Sequence, residues 1–548
     1  MATAPKIRTP IAANSMESDV ESIAPLSKEL VVGIVGYAGA GCSAAAKRLV
    51  TLLGSMGYSA QRIRMSELIS LASKVAMPAP TEGAEEGAAR LARAVQLQDM
   101  GDMLRSKNGN FAVAALAVRR IQKLRGSASV GEGKMAFVID SIKHRDEVEF
   151  LRKIYDQSFR LIAVHAERQV RSSRIIGKTT SGAKFAGASE VEAKTFMDRD
   201  EKDGKSDNGQ QVREAFYLAD YFVNNNSKDL EASVSDDLDR FANLILGSGL
   251  VRPTKSERAM YHAQAAALQS SCLSRQVGAA LISKGGEVIG TGTNEVPAFG
   301  GGVYSEEKKE DNRCHAWKWS DGNVVFVGCH NDRKKANLRD KVASWLAEKL
   351  TPEVALAAHP APINGLDTAK AARDAATPRV RDAIAKSRDI LDDLPGVKDI
   401  IEYSRAIHAE MDAVLSAARS GASPVGATLY CTTYPCHNCA RHLVSAGVER
   451  VYFIEPYVKS LATDLHSDSI TNELPAKGVT PNKMVVVPFT GVGPRMYEDF
   501  FAKRVKLKGV GGSYIAPKAS VPGFAVRLLE LEKVEEAASK LVPEADNV

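Results

Sequence analysis

The sequence lacks a long hydrophobic run, and it contains few cysteines and little excess charge of either sign. No stretch approaches the roughly 18 uninterrupted apolar residues of a membrane span, and the start, MATAPKIRTPIAANS, lacks the apolar segment of a secretory signal. These absences predict a cytoplasmic protein without a membrane partner. Seven cysteines in 548 residues are too few for a disulfide scaffold, which favours reduced thiols kept for packing or chemistry.

The charges nearly balance along the chain. The 72 Lys and Arg residues face 66 Asp and Glu residues, which leaves a net charge of +6. This excess is too dilute for a dedicated nucleic-acid coat or a polybasic membrane binder, and it is equally compatible with a small phosphorylated substrate. The hydrophobic fraction of 44% is enough to bury the cores of two or more domains.

The order of the apolar segments divides the chain into domains. Between 29 and 226, short apolar segments alternate with segments of helical periodicity, which predicts an α/β domain whose mainly parallel sheet has helices on both faces. After the linker GSGLVRPTKSE, a second α/β pattern runs α, β, β, α, β, α, β, β, with a polar insertion at about 297–400. The predicted divisions are a flexible arm over 1–28, a first domain over 29–249, a second domain over 250–505 and a C-terminal extension over 506–548.

The second domain contains a candidate zinc site. Cys436 and Cys439 stand three residues apart at the start of a predicted helix, so one turn brings both thiolates together, and His408 at the start of another helix can complete the set. Three protein ligands leave the fourth tetrahedral position open, as in catalytic zinc sites. Glu410 is not needed as a ligand and is placed to transfer protons. The alternative is a closed structural site, with Cys431 or His437 as the fourth ligand.

This H-x-E and P-C-x-x-C pattern resembles the signature of zinc-dependent deaminases. Together with SSCLSRQVGAALIS (270–283), TGTNEVP (291–297) and LYCTTYPCHNCA (429–440), it resembles the deoxycytidylate deaminases of the cytidine deaminase superfamily. The resemblance implies an α/β/α sandwich, one zinc ion, a homo-oligomer and the hydrolysis of dCMP or dCTP to a deoxyuridine nucleotide and ammonia. It also implies that Asn294 contacts the deoxyribose, although Asn294 also suits a turn after a strand.

The first domain begins with a degenerate phosphate-binding loop. The loop follows the pattern G-x-x-x-x-G-K-[ST], except that Cys42 occupies the lysine position. Asp140 ends a later strand, where a magnesium-orienting acid is expected. The loop predicts a P-loop kinase-like domain that binds a nucleotide and Mg²⁺, while the lost lysine argues against efficient phosphoryl transfer. The candidate residues are Gly36, Gly39, Gly41, Cys42, Ser43 and Asp140, and Arg168, Arg171 and Arg174 resemble the arginines of a nucleotide-kinase lid.

The combination of a kinase-like domain and a deoxycytidylate deaminase resembles bacterial anti-phage deaminases that deplete dCTP and dCMP. This resemblance implies that the first domain is regulatory, with a nucleotide or an RNA as inhibitor. Three other functions remain open: a cytosine-editing deaminase acting on DNA or RNA, a housekeeping dCMP deaminase, and a non-catalytic nucleotide sensor.

Two weaker signals lie in the second domain. The pairs Cys314, His315 and Cys329, His330 could hold a second metal, but adjacent ligands lack the two-residue gap usual in zinc sites, so the non-metal interpretation is favoured. Lys459 follows a strand that ends near the predicted site and is a candidate phosphate contact. The alternative for Lys459 is an ordinary surface lysine.

Overall fold

The computed structural model describes most of the chain, with interruptions. Within the described residues, no helix is both long and apolar enough to cross a membrane. The chain forms two compact units, one of Met1–Tyr261, Ile454–Pro456 and Pro488–Val548, the other of His262–Phe453 and Tyr457–Val487. The described residues are 27–73, 86–126, 133–176, 189–204, 206–226, 230–248, 250–307, 311–358, 374, 377–380, 382–383, 403–457, 460–474, 480–503, 507–515 and 528–542. The predicted arm therefore lies almost wholly outside the described residues.

The first unit is built on a mainly parallel sheet, as the sequence predicts. Its neighbouring strands run in the order β5, β4, β1, β3, β2, and all of these pairs are parallel. The central strand β1 is buried along its whole length because helices cover both of its faces. The strands are β1 (Leu30–Gly36), β2 (Ser59–Arg64), β3 (Met135–Ile142), β4 (Phe159–His165) and β5 (Tyr221–Asn224).

Two sets of helices cover this sheet. One hydrophobic cluster joins Leu30, Val32 and Ile34 of β1 to α1 and α9, which therefore cover one face. Helices α4, α5 and α8 contact β3, β4 and β1 and have no residue in that cluster, which places them on the other face. The helices of this part are α1 (Cys42–Ser55), α2 (Met65–Ser73), α3 (Glu86–Asn108), α4 (Ala112–Arg125), α5 (Arg145–Tyr155), α6 (Arg168–Ile176), α7 (Glu190–Glu201), α8 (Val212–Tyr217) and α9 (Leu230–Ile245).

The second unit contains a mixed sheet with the strand order β12, β13, β11, β10, β6, β7. Strands β6 and β7 form an antiparallel hairpin, and β10 pairs antiparallel with β6. Its strands are β6 (Gly278–Ile282), β7 (Val288–Thr293), β10 (Thr428–Thr433), β11 (Arg450–Glu455), β12 (Ile470–Thr471) and β13 (Met484–Pro488). Its helices are α10 (Lys255–Ala267), which begins in the first unit, α11 (His330–Ala358), α12 (Ala409–Arg419), α13 (His437–Ser445) and α14 (Ala462–Leu465).

Glycines let two helices lie close against this sheet, one on each face. A Cβ atom at Gly292 would lie 2.2 Å from both Ala409 O and Ala413 N of α12. A Cβ atom at Gly278 would lie 2.0 Å from Ala263 O of α10. Gly292 pairs with the residue next to Gly278, and paired residues face the same side of the sheet. Adjacent residues of a strand face opposite sides, so Gly292 and Gly278 face opposite sides. Helices α12 and α10 therefore lie on opposite sides of the sheet. This arrangement places the start of α12 at the end of β7.

The described part of the predicted insertion contains regular structure that the sequence analysis missed. Strands β8 (Trp317–Ser320) and β9 (Asn323–Phe326) form an antiparallel hairpin, and α11 follows it. The turn between the strands is Asp321 and Gly322, both with positive φ. An Asp-Gly pair between two strands is a strong hairpin signal.

The C-terminal segment packs on the first unit, which differs from the predicted boundary at 505. Strand β14 (Gly491–Val492) pairs antiparallel with β5 and extends the first sheet. Helices α15 (Tyr497–Phe501) and α16 (Leu528–Ser539) follow, and α16 contacts α4 and α5. Arg125 of α4 binds Glu29 at 2.8 Å and Glu535 of α16 at 2.7 Å, and all three side chains are buried. A buried ion network, as well as strand pairing, therefore attaches this segment to the first unit.

Candidate functional site

Helix α12 presents His408 and Glu410 together. His408 is the residue before the helix, with extended backbone (φ −81°, ψ 150°), and its carbonyl accepts the N–H of Asp412 at 2.9 Å. The Asp412 carboxylate in turn accepts the N–H of Thr293 at the end of β7, at 3.1 Å. His408 is therefore the N-cap residue of α12, in agreement with its predicted place at the start of a helix. Glu410 lies in the first turn and is only 4% exposed.

Helix α13 brings two thiols to His408. Cys436 is the residue before this helix, and its Sγ accepts the N–H of Cys439 at 3.4 Å. The Sγ atoms of Cys436 and Cys439 each lie 3.3 Å from Nδ1 of His408. The structure therefore assembles the three ligand atoms that the sequence pattern predicts.

The electrostatics of this cluster favour a bound cation. The contact with the Cys439 side chain, helped by His408, lowers the pKa of Cys436 to about 4. The contact with Cys436 raises the pKa of His408 to about 9, and the same thiol, together with burial, holds the pKa of Cys439 well above its ordinary value. Burial raises the pKa of Glu410 to about 6, while His408 opposes that rise. The cluster thus stabilises a thiolate, which is the form of sulfur that binds metals.

The three ligand atoms fit a zinc ion. Zinc bound at about 2.3 Å to sulfur and about 2.0 Å to nitrogen places neighbouring tetrahedral ligands about 3.5 Å apart. The observed separation of 3.3 Å between nitrogen and each sulfur is close to that value. Among the described residues, His408, Cys436 and Cys439 form the one group of three or more metal-type side chains within reach of a single ion.

The proposed alternatives to an open zinc site do not assemble in the described residues. Cys431 is fully buried in the hydrophobic cluster under α12, and neither it nor His437 joins the group of three. The pairs Cys314, His315 and Cys329, His330 also do not form a metal-type group. Cys314, Cys329 and His330 instead line the cavity in front of His408.

A cavity of about 410 Å³ opens onto His408, Glu410 and Cys436. This volume falls within the range of small-molecule sites, which is roughly 300–1,000 Å³. Asn294, at the end of β7, lines the same cavity. The structure therefore places a buried carboxyl group, a metal-type cluster and space for a ligand together.

The Asn294 side chain supports the chain around the cavity. Its Oδ1 accepts the N–H of Val277 at 2.7 Å, and its Nδ2 donates to the carbonyl of Arg275 at 2.8 Å. Each end of the amide can make one more hydrogen bond. A contact from Asn294 to the sugar of a substrate stays a prediction, and these bonds show that the residue also positions the loop before β6.

Three charged residues of this cavity were not predicted from the sequence. Glu295 is 2% exposed and accepts the N–H groups of Ser271 and Val296 at 2.8 and 2.7 Å. Arg275 and Arg405 supply positive charge to the lining. The signals were available, because Glu295 follows Asn294 and Arg405 lies three residues before His408. Lys459, the predicted phosphate contact, lies outside the described residues.

The predicted phosphate-loop residues line a second cavity, which lies within the first unit and also has a volume of about 410 Å³. Of the three predicted lid arginines, only Arg174 lines it. Arg171 is buried and its guanidinium lies 4.9 Å from the ring centroid of Tyr37, while Arg168 pairs with Asp198. All six predicted residues of the phosphate-loop site are among those that line the cavity: Gly36, Gly39, Gly41, Cys42, Ser43 and Asp140.

Comparison with known proteins matches the zinc-site region to a family model. Residues 253–455 match the family described as "Cytidine and deoxycytidylate deaminase zinc-binding region". The chain is 43% identical over 54 residues to ComE operon protein 2 of Bacillus subtilis (strain 168), which is 10% of this chain and 29% of that protein. It is 44% identical over 54 residues to Deoxycytidylate deaminase of Enterobacteria phage T2, with the same coverage. The expected resemblance is confirmed for this region, although the chain spans less than a third of these relatives.

One solved structure extends the comparison over more of the chain. The dCMP deaminase from the cyanophage S-TIM5, in apo form, is 15% identical with a TM-score of 0.20, covering 44% of this chain and 100% of that one. The match to the family over 253–455 contains Asn294, His408, Glu410, Cys436 and Cys439.

Proposed function

We propose that this protein is a zinc-dependent enzyme that hydrolytically deaminates deoxycytidine nucleotides and releases ammonia. The observation that carries the proposal is the convergence of His408, Cys436 and Cys439 within 4.8 Å, beside the buried carboxyl of Glu410, on a cavity large enough for a nucleotide. The relatives named as deoxycytidylate deaminases support the same chemistry and suggest dCMP as the substrate.

His408, Cys436 and Cys439 would hold the zinc ion. A zinc ion in such a site acts as a Lewis acid and lowers the pKa of water toward neutrality. The second role belongs to Glu410, whose carboxylate is held beside the cluster by the first turn of α12. It would accept a proton from the attacking water and deliver it to the amino group on C4 of cytosine. The C4–O bond forms, the C4–N bond breaks, and ammonia leaves.

The cavity lining supports a phosphorylated substrate. The side chain of Arg405 lies along the wall, where its guanidinium donates to Asn312 O at 2.5 Å, and Arg275 lies on the same lining. Arginine offers several donors in a fixed geometry, which suits a phosphate group. These two residues therefore favour a nucleotide over a free nucleoside.

The finer proposals rest on the resemblance to anti-phage deaminases. We propose that the enzyme acts on dCTP as well as dCMP and depletes both nucleotides during phage infection. We also propose that it assembles as a homo-oligomer and that the first unit regulates it. The parallel sheet of that unit, with its glycine loop after β1, supports a P-loop kinase-like domain. A panel of dCMP, dCDP, dCTP, CMP and CTP, assayed with and without dTTP, dATP and RNA, tests substrate and regulation together.

The central test is the Glu410→Ala variant of the full chain. We expect it to keep its zinc and its thermal unfolding midpoint while ammonia release from dCMP falls by about 10²-fold or more. Zinc content is measured by atomic absorption, and Glu473→Ala, at an exposed carboxylate outside the cavity, is the matched control. Wild-type turnover by Glu410→Ala would show that the proposed mechanism is wrong.

The same assay separates the rival functions. A nucleic-acid editing enzyme would release ammonia from single-stranded DNA or RNA and not from free dCMP, because it recognises a displaced base within a strand. A non-catalytic sensor would bind zinc and release no ammonia from any member of the panel. We expect ammonia from free deoxycytidine nucleotides and none from single-stranded DNA or RNA.

A further inference from the structure

The geometry points to a second nucleotide-binding site in the first unit, in which Lys143 supplies the positive charge that position 42 lacks and the amide of Gln98 hydrogen-bonds the base. This site is the cavity of about 410 Å³ beside the loop after β1. All of its lining residues belong to the first unit. It is separate from the proposed deaminase site.

The loop between β1 and α1 and the first residues of α1 line the cavity. Gly39 and Gly41 have positive φ (83° and 94°), which bends the chain sharply before the helix. Helix α1 begins at Cys42 with no side-chain cap and no acidic residue in its first turn. The start of a 14-residue helix therefore faces the cavity with its positive end available to an anion.

Cys42 does not supply the charge that lysine gives in such loops. Its side chain is 8% exposed and belongs to the hydrophobic cluster between the sheet and helices α1 and α9. Its Sγ is also the atom nearest to where a Cβ at Gly36 would lie, at 2.6 Å. The thiol therefore packs inward, and a charge at this loop must come from another part of the chain.

Lys143 brings that charge from the chain that follows β3. Its Nζ donates to Gly36 O of the loop at 3.1 Å and to the carboxylate of Asp200 at 2.7 Å. Because an ammonium group has three N–H donors, one remains for a ligand. Asp200 also accepts the N–H of Ala38 at 2.7 Å. Lys143 and the N–H of Ala38 thus both bind the Asp200 carboxylate, which shows that donors at this loop can bind an anionic group.

The charges of the cavity favour an anion overall. Arg62, Arg64, Lys143 and Arg174 line it beside two carboxylates, Asp140 and Asp200, so positive charge is in excess. Arg62 donates to one oxygen of Asp140 at 2.5 Å, and Ser43 donates to the same oxygen at 2.9 Å. Because Arg62 already neutralises Asp140, the site needs no magnesium ion to attract a phosphate.

Two buried amide side chains at the same cavity have polar atoms without a hydrogen-bond partner among the described residues. Gln98 of α3 is 3% exposed, and neither Nε2 nor Oε1 has a hydrogen-bond partner among the described residues. Gln210 is 6% exposed, and its Oε1 is also without a partner in the described parts of the chain. A buried unpaired amide lowers stability, so a ligand that supplies both a donor and an acceptor gains affinity by pairing with it.

The rest of the lining identifies the chemical class of this ligand. Ile69, Leu97 and Phe196 give the cavity an apolar wall beside Gln98. A nucleobase has flat apolar faces and an edge with adjacent donors and acceptors, which an amide can bind through both of its ends. Apolar walls, an unpaired amide and a cationic loop in one cavity together match a nucleoside phosphate.

The test is calorimetric titration of the full-length, zinc-loaded protein in buffer without magnesium. The ligands are AMP, ATP, GMP, GTP, dTMP, dTTP and inorganic tripolyphosphate; cytosine nucleotides are omitted because the deaminase site would bind them. We expect at least one nucleotide to bind once per chain. Lys143→Ala should weaken its binding about tenfold or more, and the exposed lysine variant Lys153→Ala should bind like the wild type.

Gln98→Leu separates base recognition from phosphate binding. It should weaken nucleotide binding about fivefold and leave tripolyphosphate binding unchanged. Because leucine removes an unpaired buried amide, the ligand-free variant should unfold at a temperature no lower than the wild type. Absence of binding tighter than about 1 mM for every nucleotide, or unchanged affinity in both Lys143→Ala and Gln98→Leu, would overturn the proposal.

Discussion

The substitution Gly292→Ala tests whether close packing of α12 on β7 positions the proposed site. The added Cβ would lie 2.2 Å from Ala409 O and from Ala413 N, whereas ordinary contacts begin at 3.4 Å. Both contacts are to helix backbone, which cannot rotate away as a side chain can. The helix must therefore move away from the sheet by about 1 Å.

This shift would separate the two halves of the site. His408 and Glu410 belong to the start of α12, while Cys436 and Cys439 belong to the start of α13. A displacement of about 1 Å can reduce a catalysed rate about 10²-fold, and overpacking of this kind costs about 1–3 kcal/mol in the free energy of unfolding. We expect ammonia release from dCMP to fall about 10²-fold. The variant should still fold but contain less zinc than the wild type.

The assay combines steady-state ammonia release, zinc content and urea unfolding, with Gly54→Ala as the matched control. Gly54 lies in α1, and a Cβ there would meet nothing within 4 Å. This control should leave activity unchanged and stabilise the protein by about 0.5–1 kcal/mol, since alanine favours the helix. Wild-type activity and full zinc content in Gly292→Ala would refute the argument from close packing.

Three further predictions concern charged groups. Glu535→Gln should lower the free energy of unfolding by about 3 kcal/mol in urea titrations, because buried Arg125 then keeps only Glu29 as its anionic partner. Burial raises the pKa of Asp237 to about 6, so the folded state binds this proton more tightly than the unfolded chain. The free energy of unfolding should therefore fall as the pH rises from about 4 to about 6. In urea unfolding, Asp237→Asn should remove the contribution of Asp237 to this fall. Arg405→Ala should raise KM for dCMP about tenfold and leave KM for deoxycytidine unchanged in ammonia-release assays; equal effects on both substrates would contradict a phosphate contact.

The sequence predicted the main strands and the zinc cluster because both depend on local patterns. A run such as Leu30–Gly36 is apolar throughout and can be stable only inside a sheet that is covered on both faces. His408 and Cys436 each precede a helix, where a spacing of a few residues fixes which side chains meet. Local spacing was therefore enough to identify the predicted ligands.

Other features depend on contacts between distant parts of the chain. Strand β14 is two residues long and has no periodicity of its own, so its pairing with β5 was not visible in the sequence. The ion network of Glu29, Arg125 and Glu535 joins residues more than 400 positions apart. The hairpin of β8 and β9 is different, because its Asp-Gly turn was visible in a segment that was interpreted only as a polar insertion.

The loop after β1 shows why a missing motif residue is weak evidence for a missing function. In a parallel sheet, neighbouring strands end at the same edge, so a side chain that follows β3 can reach the loop that follows β1. Lys143 does so, with Nζ 3.1 Å from Gly36 O, although it lies 107 residues away along the chain. Cys42 stands where the linear motif has a lysine, so the motif lacks that charge. The cavity nevertheless keeps positive charge from other residues. A role in binding and a role in phosphoryl transfer must therefore be judged from the groups that surround the loop, and not from position 42 alone.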